Sequence, residues 1–473
     1  MFCNRHARDL LFVPCAFLIL ILSSPRLSRA QAQNPFLGSV PAGQATGTTL
    51  DLSFQDAFNR ALKYNLGIIE SGQDTRVARA ARLHSLNALL PALSARISAS
   101  LEQINFSAQG INFKIPGVNI PSVVGPFWVT DGRAYLSQEV FNWSDIQGFK
   151  AASESEKASE YTYKSDRDLV VFTAGSAYLL VISDLALVES IRAQVNTAQT
   201  LYQQDADKHK NGIIAGIDVL RAHVELETQQ QRLIASQNQL NIDKLSLGRV
   251  IGLPSGQEFR LTESIPYAPL ADLTLDQALK QAYATRPDYL SSKAQVQAAE
   301  LALRSAGAEN YPYISTATDY GDIGAPNFTS SHGTFDFTAA VNVPIFEGTR
   351  VRADKLQADA ALEERQAELA DLQGRIDDQV RTAFYNLKSS SDLVTVAQSN
   401  IDLANQTLAQ AQDRYASGVA DNLEVVQAQE SVASANQSYI ASLYSYNLAK
   451  IFLAQALGVA EKSALQFLVG GKQ

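Results

Sequence analysis

Almost nothing in this 473-residue sequence can form a crosslink or hold a metal. It has two cysteines, Cys3 and Cys15, both within the first 32 residues, and five histidines. That count excludes a disulfide framework and a large metal cluster. Positive charge is also scarce: 39 Lys and Arg against 48 Asp and Glu leave −9, so the basic footprint of a nucleic-acid binder is missing. Past the first thirty residues, no stretch runs ~18 apolar residues without interruption, the length a bilayer-crossing helix needs. What is there is 46% apolar and 18% charged, enough to bury a sizeable core and too apolar for a mainly disordered chain.

Arg5 and Arg8, an apolar run from Leu10 to Ser24, and small residues at Ala30 and Ala32 predict a signal peptide over 1–32. Cys15 lies ahead of most of the apolar run, which does not fit a lipidated cysteine. Losing this segment removes four Arg and one Asp, moves the charge from −9 to −12, and leaves no cysteine. The expectation is an exported protein without a transmembrane helix.

The remainder reads as two copies of one unit. Leu52-Ser-Phe-Gln-Asp-Ala57 returns as Leu273-Thr-Leu-Asp-Gln-Ala278, and Pro91 returns as Pro312, both at an offset of 221. Farther on, Phe141 matches Phe346 at 205, while Gly212 matches Gly418 and Gly252 matches Gly458 at 206. The lost offset places extra residues between Pro91 and Phe141, where the Pro- and Gly-rich stretch Ile115–Pro126 reads as an enlarged loop. After an N-terminal linker (33–50), repeat 1 spans 51–252, a second linker 253–272, repeat 2 273–458, and a C-terminal tail 459–473.

Each repeat reads helix, strand, strand, long helix, turn, helix. The first helical stretches, Ser53–Leu90 and Leu275–Asn310, each end at a proline. The hydrophobic period then switches to two. Leu93, Ala95, Ile97, Ala99 and Leu101 alternate with Ser94, Arg96, Ser98 and Ser100, and Phe335, Phe337, Ala339 and Val341 do the same. This predicts strands at 92–108, 127–141, 313–323 and 334–346. One greasy face suits a lipid-facing barrel wall, and strand pattern alone leaves a soluble sheet with one wet face open.

The helices favour the barrel. The rods opening the hairpins 144–252 and 348–458 are each about 100 Å long at 1.5 Å per residue. Val394, Ile401, Leu408 and Tyr415 recur by sevens with Ala397, Ala404 and Ala411 three residues behind, a seam that lets antiparallel helices approach closely. Four strands leave two unpaired edges, which hydrocarbon does not tolerate. Three chains give twelve strands, whereas two give an eight-stranded barrel that side chains fill. The predicted fold is mainly α with a β-barrel contribution: a homotrimer with a 12-stranded outer-membrane barrel continued by a periplasmic helical coiled-coil barrel.

Several segments, in this order, resemble the outer-membrane factor family, the TolC-like channels of Gram-negative exporters. They are Leu273-Thr-Leu-Asp-Gln-Ala-Leu-Lys-Gln-Ala282, Val343-Pro-Ile-Phe-Glu-Gly348, Arg414-Tyr-Ala-Ser-Gly418, Leu423-Glu-Val-Val426 and Ala456-Leu-Gly458. The resemblance covers about Leu50 to Gly458. It implies a passive trimeric conduit in outer-membrane lipid whose periplasmic end docks onto an adaptor and, through it, an inner-membrane pump or secretion system. It implies no chemistry, no cofactor and no nucleic acid, and does not specify the cargo.

The same resemblance points to the hairpin tips, 211–218 and 417–424. Asp218 and Glu424, each six residues past a tip glycine, match acids that help close such channels. Tyr415 resembles a tyrosine that hydrogen-bonds the Asp218 position in the closed state. Ala420 and Gln427 replace a basic and an acidic gate residue, implying a weaker gate. Gly212, Ile213, Ile214, Gly418 and Val419 correspond to adaptor-docking positions; packing against a neighbouring tip is the alternative for the exposed apolar ones. Asp421-Asn-Leu-Glu424 is also a capping-box pattern, so Glu424 caps, gates, or does both.

The other candidates read as structure. His84, His209, His223 and His332 lack metal-ligand spacing, Asp205-Ala-Asp207 reads as a solvated face, and Gly470-Gly-Lys472 lacks phosphate-loop spacing. No catalytic constellation is evident. The competing class is a structural coiled-coil protein of the periplasm or cell surface without a pore.

Overall fold

The computed structural model describes residues 34–110, 121–264, 267–270, 273–325 and 330–469. The expected signal peptide and part of the enlarged loop lie outside the described residues. Helix formation starts twice in the same way. Ser53 and Thr274 each accept the backbone N–H three residues on, and Asp56 and Gln277 reach back to complete a capping box. α1 (Phe54–Tyr64) and α5 (Leu275–Thr285) follow, 11 residues each.

The sequence reads these as continuous with the next helices, but the chain turns extended at Asn65 and Arg286. Arg286 precedes Pro287, whose ring disfavours helical backbone before it. Asn65 is pinned by its own amide, which accepts from Gly67 N at 2.9 Å and donates to the Phe36 carbonyl at 2.7 Å. α2 (Leu66–Asn87) and α6 (Pro287–Gly307) then resume and stop before Pro91 and Pro312.

β2 (Ala92–Asn105), β3 (Val123–Phe141), β5 (Tyr313–Gly324) and β6 (Ser331–Asn342) form one antiparallel sheet in that order. Register carries Ala95 across to Ala134, Tyr320 and Phe335, and Leu93 across to Leu136, Thr318 and Phe337. Residues paired this way share a face, so one side of the sheet presents exposed Leu93, Ile97, Trp128, Tyr320, Phe335 and Phe337. The opposite face carries Ser94, Arg96, Asp131, Arg133, Asp319 and Asp336, with Arg133 bonding Asp131 at 2.5 Å and Asp319 at 3.1 Å.

Five strand ends differ from expectation, β5 running one residue longer to Gly324 and β6 starting three residues earlier at Ser331. β6 stops at Asn342, ahead of Pro344, which has no N–H to give a ladder. β2 stops at Asn105, whose side chain accepts from Ala108 N and closes a turn. β3 begins at Val123, inside the stretch read as loop.

Long rods run away from the sheet: α3 (Trp143–Lys210, 68 residues) and α7 (Arg350–Ala416, 67 residues). Each turns back through a shorter helix, α4 (Gly216–Val250) or α8 (Asn422–Ala456), both of 35 residues. The helices lie side by side as α2–α3–α6–α7 near the sheet and α4–α3–α8–α7 beyond it. One edge of this slab is therefore α2 with α4, and the other is α7.

Between the two levels lies the main core, where Leu52, Phe54, Tyr178, Leu247, Ile451 and Leu468 are buried together. β1 (Leu50–Leu52) and β4 (Phe259–Leu261) pair in parallel here, joining the segments that precede and follow repeat 1. α3 is long and apolar enough by composition to cross a bilayer, unlike the reading from uninterrupted runs. Its Val170, Tyr178 and Leu179 are instead packed in this core.

The C-terminal tail contains a further helix, α9 (Ala460–Val469), which packs on α3 and α8. The Asp168 carboxylate accepts from Glu461 N at 2.8 Å at its start, and fully buried Lys450 donates to the Leu468 carbonyl at 3.3 Å at its end. A negative group at the N-terminus and a positive one at the C-terminus both oppose the helix dipole. Burial raises Asp168 to about 6 and lowers Lys450 to about 8.

Candidate gate and docking tip

The rods end in two turns of one design. Gly212 (φ +72°) and Gly418 (φ +71°) both take the left-handed backbone that ends a helix, a conformation costly for any residue with a Cβ. Past the glycines, Ile213 and Val419 are 69% and 70% exposed, and Ile214 is half-buried. The tips thus present a small apolar surface at the end of the molecule farthest from the sheet.

Just behind the turns, all four helices meet at Asp205. This residue is 0% exposed, so the reading of Asp205 as part of a solvated face is wrong. The Tyr415 hydroxyl donates to its carboxylate, and Asn422 Nδ2 donates to it at 2.9 Å and to the Asp218 backbone carbonyl at 2.7 Å. Asn422 is itself fully buried. α3, α7, α8 and α4 are thereby tied through one acid and one amide, above a cluster of Leu201, Ala222, Ala411, Val425 and Ala428.

Tyr415 therefore bonds Asp205 rather than Asp218. Burial, the bond to Asp205 and the nearby Asp218 charge hold its phenol well above the ordinary tyrosine value. The Lys208 ammonium sits 3.9 Å from its ring centroid, a cation–π contact from α3.

Asp218 and Glu424 are engaged separately. Asp218 accepts from Arg221 on its own helix at 3.1 Å. Glu424 pairs with Arg414 across the turn at 3.1 Å. The capping box does not form: Asp421 caps α8 through Leu423 N, while the Glu424 carboxylate reaches sideways to Arg414. Asp205 had a legible signal, since Ile191, Ala198 and Asp205 follow one another by sevens along the buried seam of α3.

Histidines near the tip make local contacts. His209 Nδ1 lies 2.9 Å from the Ile214 carbonyl oxygen, and His223 stacks on Tyr202 with ring centroids 4.8 Å apart. Among the described residues, no three His, Cys, Asp or Glu gather in a way that holds a metal ion.

Residues 61–253 and 278–459 match the family model described as outer membrane efflux protein. The chain is 24% identical over 331 residues to the probable efflux pump outer membrane protein TtgC of Pseudomonas putida, covering 65% of this chain and 64% of TtgC. The match thus spans less than two thirds of that relative's length. It is 21% identical over 353 residues to outer membrane protein TolC of Escherichia coli, covering 71% of each. The crystal structure of the Campylobacter jejuni CmeC outer membrane channel shares the fold, with a TM-score of 0.71 at 17% identity over 90% of this chain and 92% of CmeC.

Proposed function

The chain belongs to the outer membrane efflux protein family, and from that premise we propose that three copies form a passive conduit from periplasm to exterior. The observation that carries this reading is the sheet. It has one apolar face, one polar face and two edge strands, β2 and β6, on a body whose helical slab also ends in two different edges. Two unlike edges make a heterologous contact, and such contacts close into a ring when the rotation between copies divides a full turn. Three sheets give a twelve-stranded barrel with lipid outside and Arg133, Asp319 and Asp336 facing the lumen. A pore-free scaffold has no need of a face built for lipid.

The tip residues take two roles in this proposal. Gly212, Ile213, Ile214, Gly418 and Val419 form the surface that meets a periplasmic adaptor, itself bound to an inner-membrane pump. Asp218, Tyr415 and Glu424 belong to the closed gate, with Asp205 and Asn422 as its centre. Opening separates the α7–α8 hairpin from α3–α4, and the bonds through Asp205 resist that.

Purified protein in a planar bilayer tests the reading. Discrete steps of low conductance are expected, rising in Tyr415→Phe as the link to Asp205 is lost. A preparation that inserts without conducting contradicts the conduit, and an unchanged closed-state conductance in Tyr415→Phe contradicts the gate.

A further inference from the structure

A pocket of about 420 Å³ opens on the flat of the helical slab, where α3, α7 and α8 meet. Half-buried Phe172 of α3 and Phe452 of α8 form its floor, with ring centroids 6.0 Å apart and planes tilted by 57°. Leu448 and Leu393 make its sides, and Leu393 is 54% exposed. Exposed Asn386, Ser389 and Ser445 bring an amide and two hydroxyls to the mouth. Among the described residues, no charged side chain lines it.

Two contacts fix which face of the slab this is. On α7, Ser391 meets the Tyr267 hydroxyl at 3.1 Å and so points at the 267–270 segment. Ser389 and Leu393 stand two residues either side of it, about 200° around the helix. On α8, Lys450 donates to the Leu468 carbonyl of α9. Leu448 and Phe452 stand two residues either side of Lys450, again about 200° away. The pocket therefore opens on the face opposite α9 and the 267–270 segment. A conduit stays clear only with those elements on its outer wall, which puts the pocket on the lumenal wall.

We propose that this pocket is a lumenal subsite that holds an uncharged aromatic molecule in transit. The inference rests on the conduit reading and adds to it the chemical class of one cargo. The volume lies in the range of small-molecule sites, which are mostly apolar with a few polar groups that orient the ligand. Tilted Phe172 and Phe452 offer both a ring face and a ring edge to an aromatic guest. A charged guest would lose water there without gaining a partner. The counterparts of Phe172 and Phe452 in the other repeat, 206 residues away, are Asp378 and Ser246, so the aromatic floor occurs once per chain.

Benzophenone, uncharged and photoreactive toward C–H bonds, tests this in full-length protein extracted from outer membranes. The comparison probe is 4-benzoylbenzoate, the same ring system with a negative charge. Peptide mapping after irradiation is expected to find benzophenone on residues 386–393 and 445–452, and several-fold less benzoylbenzoate. Ser445→Trp fills the mouth from an exposed position, and Phe452→Ser installs the residue of repeat 1. Each should lower labelling of these segments several-fold while labelling of the lipid-facing strands stays. In a planar bilayer, benzophenone should add current noise that Ser445→Trp removes, and a current insensitive to it contradicts the lumenal placement. A three-chain particle left unlabelled at these segments, or labelled equally in Ser445→Trp, overturns the pocket and leaves the conduit standing. Equal labelling by the two probes overturns the uncharged class, and a one-chain particle overturns the conduit and the cargo role with it.

Discussion

Leu245 on α4 and Ile451 on α8 occupy the same place in the two repeats, 206 residues apart, yet Leu245 is 69% exposed and Ile451 is 0% exposed. The helices differ throughout in the same sense. Both have 35 residues, but α8 buries fourteen of them and α4 seven. The cause is position. α8 lies between α3 and α7, whereas α4 packs mainly on α3, meets α8 only through contacts such as Arg232–Glu430, and is open on its far side. In the ring assembly proposed above a neighbouring copy covers this edge, which the repeat alone does not reveal.

The largest effect expected from this contrast is in the core. Ile451→Ala should cost roughly 2–5 kcal/mol of folding stability, by lost burial and the cavity left behind. Leu245→Ala should stay within about 0.5 kcal/mol for the isolated chain. Its cost should appear instead as faster dissociation of the assembly. Denaturant unfolding followed by circular dichroism, beside particle lifetime in detergent, separates the two.

The tips come next. The repeat counterpart of Asp205 is Ala411, so the acid that ties four helices comes from repeat 1 only. Asp205→Ala removes the acceptor of Tyr415 and one of the two acceptors of Asn422, and should cost about 1–3 kcal/mol. Glu424→Gln, which breaks an exposed ion pair, should cost at most about 1 kcal/mol. Amide exchange over residues 411–426 checks the order, and equal protection in the two variants contradicts it.

A third difference is electrostatic. Asp184 and Asp243 meet between α3 and α4, while their counterparts in repeat 2 are Ser390 and Ala449. Burial, and then the bond and charge of Asp243, raise Asp184 to about 7. A carboxyl raised in the folded state contributes stability while protonated. That contribution is complete below its unfolded value of ~3.9 and disappears as pH rises through about 7. The melting temperature should therefore fall as pH rises from about 4 to about 7 and level off above that, and Asp184→Asn should flatten the slope. An identical slope in the variant removes the pair as its origin.

The smallest expected effect concerns helix starts. Asp421 caps α8, whereas its counterpart Ala215 leaves α4 without a side-chain cap. Ala215→Asp should stabilise the α4 end by roughly 0.5–2 kcal/mol, seen as slower amide exchange over 216–219.

These contrasts also show what was legible. The repeat, the rods and the greasy sheet face were readable because each rests on a local period, as in Leu93, Ile97 and Leu101 or Val394 to Tyr415. Breaks at Asn65 and Arg286 were missed because a helical period runs on across them. Asp205 was misread by its neighbours, Ala206 and Asp207, when its heptad position pointed inward. The docking of α9 depends on Asp168, 293 residues before Glu461, and on Lys450 of the preceding helix, and no local pattern announces it. Tyr415 bonds Asp205 where the resemblance implied Asp218, because the Asp205 carboxylate turns into the seam while that of Asp218 turns to Arg221.

The most direct test of the account is the native mass of the particle extracted in mild detergent from outer-membrane fractions. The account predicts three chains in that fraction. A one- or two-chain particle, or protein found only in the soluble periplasm, would contradict it.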